Sequence, residues 1–228
     1  MDISKRLKMI ANQIRGCECL ADIGTDHAYL PIYLLKEKKI KKAIACDINP
    51  GPLKKAEENV TCYGFLKDIS LRLSDGLRGL SAGEADAAVI AGMGGFLIID
   101  ILKASPEVAK SFKKLILQPQ LNIDKVRRYI HLMGFSIENE DMIFEDGKYY
   151  TVINAVPGAE SYGEPDYLFG RKLIENKNQV FKNYAVQKLD KNNKIIETLL
   201  KNGKEKPGER MSEIEYENKI LKEVLSCL

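Results

Sequence analysis

At 228 residues the chain is long enough for one full α/β domain plus a smaller element, since domains usually hold about 100 to 200 residues. A net charge of +3 excludes a polycation of the histone kind, so any nucleic acid must be met by local patches. Five cysteines (Cys17, Cys19, Cys46, Cys62, Cys227) form no CxxC pair, and with only two histidines they read as reduced structural thiols and not as a zinc site.

The N-terminal MDISKRLKMIANQI has no apolar core of signal-peptide length, and no later run approaches the roughly 20 apolar residues of a membrane span. A soluble, cytoplasmic protein is the expectation. Ile3, Leu7, Ile10 and Ile14 fall at helical spacing, which predicts an amphipathic lead-in helix over residues 2–15 with Lys5, Arg6, Lys8 and Arg15 on its other faces. The stretch LADIGTDHAYLP, 20–31, then reads as a strand ending at Ile23, a glycine turn at Gly24, and a helix from His27 to Lys38. A helix N-terminus behind a glycine turn is a place where backbone N–H groups can meet a carboxylate or phosphate. KAIACDINP is a second strand ending in Asp47, followed by a helix with Pro50 and Pro52 at its start, where proline is tolerated. ISLRLSD alternates as a third strand finishing at Asp75 and Gly76. DAAVIAG is a fourth, running into AGMGG (91–95) and the helix FLIIDILKA. KKLILQPQ is a fifth, with IDKVRRYIHLMGF as its helix.

FSIENEDMIFEDGKYYTVINAVPG reads as a β-hairpin turning at Asp146-Gly147. Five strand–helix alternations and a hairpin predict a mostly parallel, Rossmann-like seven-stranded sheet with one antiparallel strand at its edge, over residues 1–159. Residues 160–228 are strand-free. A long helix from about Pro165 to Lys201, a KNGKEKPG turn and a helix from Glu209 predict an antiparallel, coiled-coil-like hairpin. Its seam is Met211, Ile214, Asn218, Leu221, Leu225 and Leu228 against Ile174, Phe181, Ala185, Leu189, Ile196 and Leu199, with Asn178 and Asn192 as interruptions. With 13 basic and 11 acidic side chains over 161–228, this appendage is not a cationic arm.

Two cofactors suit such an architecture. A dinucleotide wants GxGxxG, yet Gly24 is followed by Thr25, Asp26, His27 and Ala28, and Asp26 would stand in the way of a pyrophosphate. The missing glycines and the lack of a Ser/Tyr/Lys or His/Asp pattern count against an NAD(P)-linked oxidoreductase. S-adenosylmethionine, with its amino-acid end, sulfonium and adenosine, favours neighbouring carboxylates. An acid closing the second strand of a βαβ unit, here Asp47, is placed to accept hydrogen bonds from ribose hydroxyls.

DIGTDHAYLP, ACDINP, SDGL and AGMGG together resemble the class I S-adenosylmethionine-dependent methyltransferases, and within them the bacterial family that methylates N1 of adenosine 22 in tRNA. The resemblance covers essentially the whole chain. It implies that Asp22, Gly24 and Asp26 meet the methionine end of the cofactor, that Asp47 holds the ribose with Ile48 against the adenine, and that Asp75 and Gly76 read the adenine amino edge. It also implies that the loop Ala91 to Gly95, with Gly92, Met93 and Gly94 at its centre, faces the transferable methyl group. The chain lacks the Asn/Asp-Pro-Pro-aromatic string usual in methyltransferases of exocyclic amines, which favours a ring nitrogen as acceptor. Adenine N1 lies on the pairing edge, so the nucleotide must be unpaired and held, commonly by stacking. His27, Tyr29 and Phe96 are the aromatic candidates. KEKKIKK, the Lys5/Arg6/Lys8 group and Lys125/Arg127/Arg128 are candidate phosphate contacts. The expected partner is tRNA, bound by a monomer or weak dimer without metal or membrane; another RNA or a small molecule is the alternative acceptor.

Overall fold

A computed structural model describes residues 1–201 and 208–228, which divide into two compact units, Met1–Ser161 and Tyr162–Leu228. No described helix is long and apolar enough to cross a membrane.

In the first unit, helix α1 (Lys5–Gln13) precedes strands β1 (Cys19–Ile23), β2 (Lys42–Asp47), β3 (Ile69–Leu73), β4 (Ala87–Met93) and β5 (Lys114–Pro119). Helices α2 (Tyr29–Lys36), α3 (Pro50–Cys62), α4 (Gly95–Ala104) and the short α5 (Pro106–Ser111) connect them. Helix α6 (Ile123–Leu132) leads into β6 (Phe135–Glu145) and β7 (Lys148–Pro157). The seven strands form one sheet in the order β3-β2-β1-β4-β5-β7-β6. The first five are parallel; β7 runs antiparallel to both β5 and β6.

The antiparallel strand is therefore not at the edge, as the sequence pattern suggested, but one position in from it. Burial explains the order. Residues Thr151–Ala155 of β7 are buried without a break, the mark of a strand covered on both faces, while β6 alternates and carries a register shift between Ile137 and Asn139. The edge strand is also pinned from below: Arg127 of α6 and Glu140 of β6 form an ion pair of 2.7 Å with side chains only 2% and 0% exposed. Arg127 is thus a buried structural charge, not a phosphate contact.

Helix α1 has a side-chain cap, the Ser4 hydroxyl accepting from the Leu7 N–H at 3.2 Å. A second anchor is distant in sequence: the Glu145 carboxylate accepts from the backbone N–H groups of Lys5 and Arg6 at 2.7 and 3.1 Å. An acid at a helix N-terminus satisfies orphan donors and the dipole together.

The second unit is all helical: α7 (Glu164–Phe169), α8 (Arg171–Glu175), α9 (Gln179–Lys201) and α10 (Glu209–Cys227). The long helix expected from Pro165 is broken where Gly170 takes φ +92° and Lys177 φ +48°. Asn178, expected to interrupt a seam, caps α9 by accepting from the Phe181 N–H at 2.9 Å. Asn192 lies within the seam. Its amide donates to Asn218 Oδ1 at 2.9 Å and to Glu217 at 2.8 Å, and Asn218 donates to Asn193 at 3.0 Å. Asn192 and Asn218 stand equally far from the facing ends of α9 and α10, the register of an antiparallel hairpin. Ile214, Asn218 and Leu221 are buried as the heptad pattern suggests, but Ile220 and Val224 are buried too, because α7 also packs on α10. Of the expected KNGKEKPG turn, residues 202–207 lie outside the described residues.

Candidate active site

A cavity of about 480 Å³ opens at the C-terminal ends of the parallel strands, where the order reverses between β1 and β4. That reversal is where open α/β sheets take their ligands, because the two flanking loops diverge to opposite faces. Of the residues the sequence singled out, Asp22, Gly24, Asp26, Asp47, Ile48, Asp75, Gly76, Ala91, Gly92 and Met93 line it.

At the exit of β1, Asp22 is buried and its Oδ2 accepts from the Thr25 hydroxyl at 2.6 Å. Burial pushes its carboxyl up to about 6; the Thr25 hydrogen bond opposes this, and the charges of Asp26 and Asp47 add to it. The turn itself differs from the sequence expectation. His27 and Ala28 have φ of +56° and +58°, so α2 starts at Tyr29, not His27. The N–H groups of Gly24 and Thr25 both donate to the Cys46 carbonyl at 2.8 Å. They tie the loop to β2 and are not offered to a ligand.

Asp47 ends β2 half-buried, with Oδ1 accepting from the Asn49 N–H at 2.7 Å, while Ile48 is 61% exposed beside it. At the exit of β3, Ser74 N–H donates to the Asp47 carbonyl at 2.9 Å and Asp75 pairs with Arg78 at 2.9 Å. Gly76 turns with φ +60°, and a Cβ there would meet Ile101 at 3.0 Å.

The β4 exit is bulged: its register with β5 shifts between Ala91 and Met93, and Gly92 between them has φ +79°. The Met93 side chain lies across Gly24, its methyl occupying the space that a Cβ there would need. The loop is clamped to that of β5 by Gln120 N–H to the Met93 carbonyl and Gly95 N–H to the Leu121 carbonyl, both at 2.8 Å. A Cβ on Gly95 would lie 2.6 Å from the Leu121 and Asn122 carbonyl oxygens. The Gly94 carbonyl accepts from Ile98 N–H at 3.1 Å as α4 begins.

Gly94, His27, Tyr29 and Phe96 do not line the cavity. His27 and Tyr29 form an edge-to-face pair with centroids 5.5 Å apart, and the His27 carbonyl accepts from the Asn59 amide at 3.0 Å. Phe96 is 57% exposed at the start of α4, next to Leu97, which does line the cavity. The sequence reading missed Leu30, Asn49, Ser74, Ile101 and Gln120 as lining residues, and did not place Arg6 and Leu7 of α1 in the cavity. Gln120 could have been found from its place just after a parallel strand. Nothing in the local pattern of α1 announces that its second residue reaches the site. The lysines of KEKKIKK sit between α2 and the start of β2, at the opposite end of the strands from the cavity.

The chemistry of the lining decides between ligands. Four acidic residues, Asp22, Asp26, Asp47 and Asp75, line one cavity. They would repel a pyrophosphate but suit a ligand with a sulfonium, an ammonium and ribose hydroxyls. S-adenosylmethionine fits, and a dinucleotide does not.

A seven-stranded sheet of this order with acids closing β1, β2 and β3 defines a class I S-adenosylmethionine-dependent methyltransferase. Residues 3–153 match the family model described as "Methyltransferase domain". The tRNA (adenine(22)-N(1))-methyltransferase of Bacillus subtilis is 35% identical over 99% of this chain and 98% of its own length. This chain belongs to that tRNA methyltransferase family. A structure of M. capricolum TrmK with S-adenosylhomocysteine superimposes with a TM-score of 0.87 at 30% identity, covering 99% of this chain and 98% of that one. A Streptococcus pneumoniae candidate tRNA (m1A22) methyltransferase in complex with S-adenosylmethionine does so with a TM-score of 0.89 at 32% identity, covering 98% and 100%. S-adenosylmethionine is the cofactor.

Proposed function

We propose that this chain transfers a methyl group from S-adenosylmethionine to N1 of adenosine 22 in tRNA. The observation that carries the reading is the single cavity that joins the carboxylates at the ends of β1, β2 and β3 to the bulged glycine loop of β4. The cofactor supplies an electrophilic methyl on a sulfonium. Asp22 and Asp26 hold the methionine end, Asp47 the ribose, Ile48 the face of the adenine, and Asp75 with Gly76 its amino edge.

Adenine N1 carries its own lone pair and needs no base before attack, so the protein's work is alignment and charge placement. As N1 gains positive charge its exocyclic amine becomes a stronger donor, and an oxygen acceptor there stabilises the transition state. The carbonyls of Met93 and Gly94 already accept N–H groups from Gln120 and Ile98. Those of Ala91 and Gly92, at the bulge, are the acceptors we assign to this role. Phe96, exposed at the start of α4 beside the loop, is the stacking residue for the extruded base, with the edge-to-face pair of Tyr29 and His27 as the second aromatic candidates. The helical unit adds RNA-binding surface to a cytoplasmic monomer or weak dimer.

The experiment is to incubate the protein with radiolabelled S-adenosylmethionine and unmodified tRNA, then digest and identify the labelled nucleoside. Label in 1-methyladenosine, lost when adenosine 22 is replaced, is the expected result. Label in another nucleoside, or none while the cofactor still binds, overturns the acceptor assignment.

A further inference from the structure

The cavity has two unlike walls. Its carboxylates come from the exits of β1, β2 and β3, whereas the wall made by β4, α4 and the end of β5 contributes no acid among the described residues. On that second side stands Arg6, the only cationic side chain among the described residues that line the cavity. Its Nη1 donates to Gln118 Oε1 at 3.2 Å, and its guanidinium lies over the Tyr150 ring, 5.7 Å from the centroid. Nη1 is also 3.4 Å from where a Cβ on Gly92 would stand, so it borders the bulge directly.

Both partners are neutral, and among the described residues no carboxylate pairs with this guanidinium. Gln118 is fully buried, and Glu145 holds the turn of α1 that carries Arg6 through the backbone N–H groups of Lys5 and Arg6. The charge is thus fixed in direction and left uncompensated. A fixed guanidinium fork with free donors suits an anion.

We propose that Arg6 holds the phosphodiester of the nucleotide whose base is methylated, a reading that rests on the proposed function. Two anions could reach it: that phosphate or the carboxylate of the cofactor. Position favours the phosphate. The partners of Arg6 are on β5 and β7, on the far side of β4 from the acids of β1–β3 that take the cofactor. The base itself is excluded as its target, because a cation beside a base that becomes cationic would oppose the reaction.

The test compares wild type, Arg6→Gln and Arg6→Lys for cofactor affinity by calorimetry, for tRNA binding against salt, and for kcat/KM on tRNA. The RNA is made with its natural backbone or with a neutral methylphosphonate at either phosphate of the target adenosine. We expect Arg6→Gln to lower kcat/KM roughly tenfold to a hundredfold and to reduce the salt slope of RNA binding by about one, with Arg6→Lys between. Cofactor affinity should stay within about twofold of wild type. One methylphosphonate should cost wild type about tenfold and cost Arg6→Gln nothing further, the signature of a direct pair. Cofactor affinity falling tenfold in Arg6→Gln, with wild type indifferent to both methylphosphonates, would assign Arg6 to the cofactor carboxylate and overturn the proposal. Unchanged kcat/KM and salt slope in Arg6→Gln would also overturn it. Wild type methylating no tRNA would instead sink the functional reading, and the salt slope of binding, which needs no turnover, would still decide the role of Arg6.

Discussion

Asp47 and Asp22 both stand at the ends of parallel strands, yet one meets solvent and the other does not. Asp47 is half-buried and oriented by the Asn49 N–H, and the proposed function uses it as the acceptor for ribose hydroxyls. Asp47→Ala should weaken S-adenosylmethionine binding by roughly 1 to 3 kcal/mol, read by calorimetry; unchanged affinity would remove Asp47 from the site. Asp22 is buried with its carboxyl raised from 3.8 to about 6. Below pH 4 the folded and unfolded chains both hold its proton, and the stability this favourable protonation brings is lost as pH rises from about 4 through 6. Above pH 6 a buried carboxylate remains, which costs the cofactor-free protein on the order of 1 to 3 kcal/mol. Asp22→Asn should therefore raise the melting temperature of the cofactor-free protein at pH 8 and leave it unchanged at pH 4. A bound cationic ligand favours the charged form, so cofactor affinity should fall about tenfold from pH 7.5 to pH 5 in wild type and stay flat in Asp22→Asn. A pH-independent wild type would refute the assignment of Asp22 to the cationic end.

Among the elements, those with strong periodicity were legible and those set by one backbone torsion were not. The strand–helix alternations at β1, β2, β4 and β5 and the Asp146-Gly147 hairpin can be read from alternation and turn residues, whereas β3 is followed by a single 3-10 turn, Gly76–Gly79, in place of the helix that a fifth alternation implies. The two left-handed residues before α2, the breaks at Gly170 and Lys177, and the short α5 carry no comparable signal. The asparagines of the helical unit are a middle case: their presence in a seam is visible, but only the structure shows Asn192 and Asn218 bonded to each other. A buried amide pair costs desolvation and pays it back as register. Asn218→Ala should destabilise the helical unit by about 1 to 2 kcal/mol, because the Asn192 amide loses an acceptor. The double replacement Asn192→Leu, Asn218→Leu should raise its stability while allowing other registers, seen as self-association in sedimentation. A double variant that sediments as wild type would show that the pair does not set register.

At the scale of the whole molecule, the chain forms two compact units, to which the proposed function gives different tasks. The first carries every lining residue of the cavity and the sheet that positions them. Removing residues 162–228 should leave S-adenosylmethionine affinity within about threefold of wild type, as the lining residues all belong to the first unit, while kcat/KM on tRNA falls by two orders of magnitude or more. Full activity on tRNA without the helical unit would contradict its RNA-binding role.

The sequence by itself determined the order of elements, the acids at strand ends and the AGMGG turn, because alternation, periodicity and glycine placement act over a few residues and need no distant partner. It could not determine which loop N–H groups are already occupied, as those of Gly24 and Thr25 are by Cys46. Nor could it show that Arg127 is buried against Glu140 while Arg6 pairs with no acid among the described residues. These were decided by the tertiary structure, since the partners stand from 13 to 112 positions apart in the chain and only the folded sheet brings them within about 3 Å.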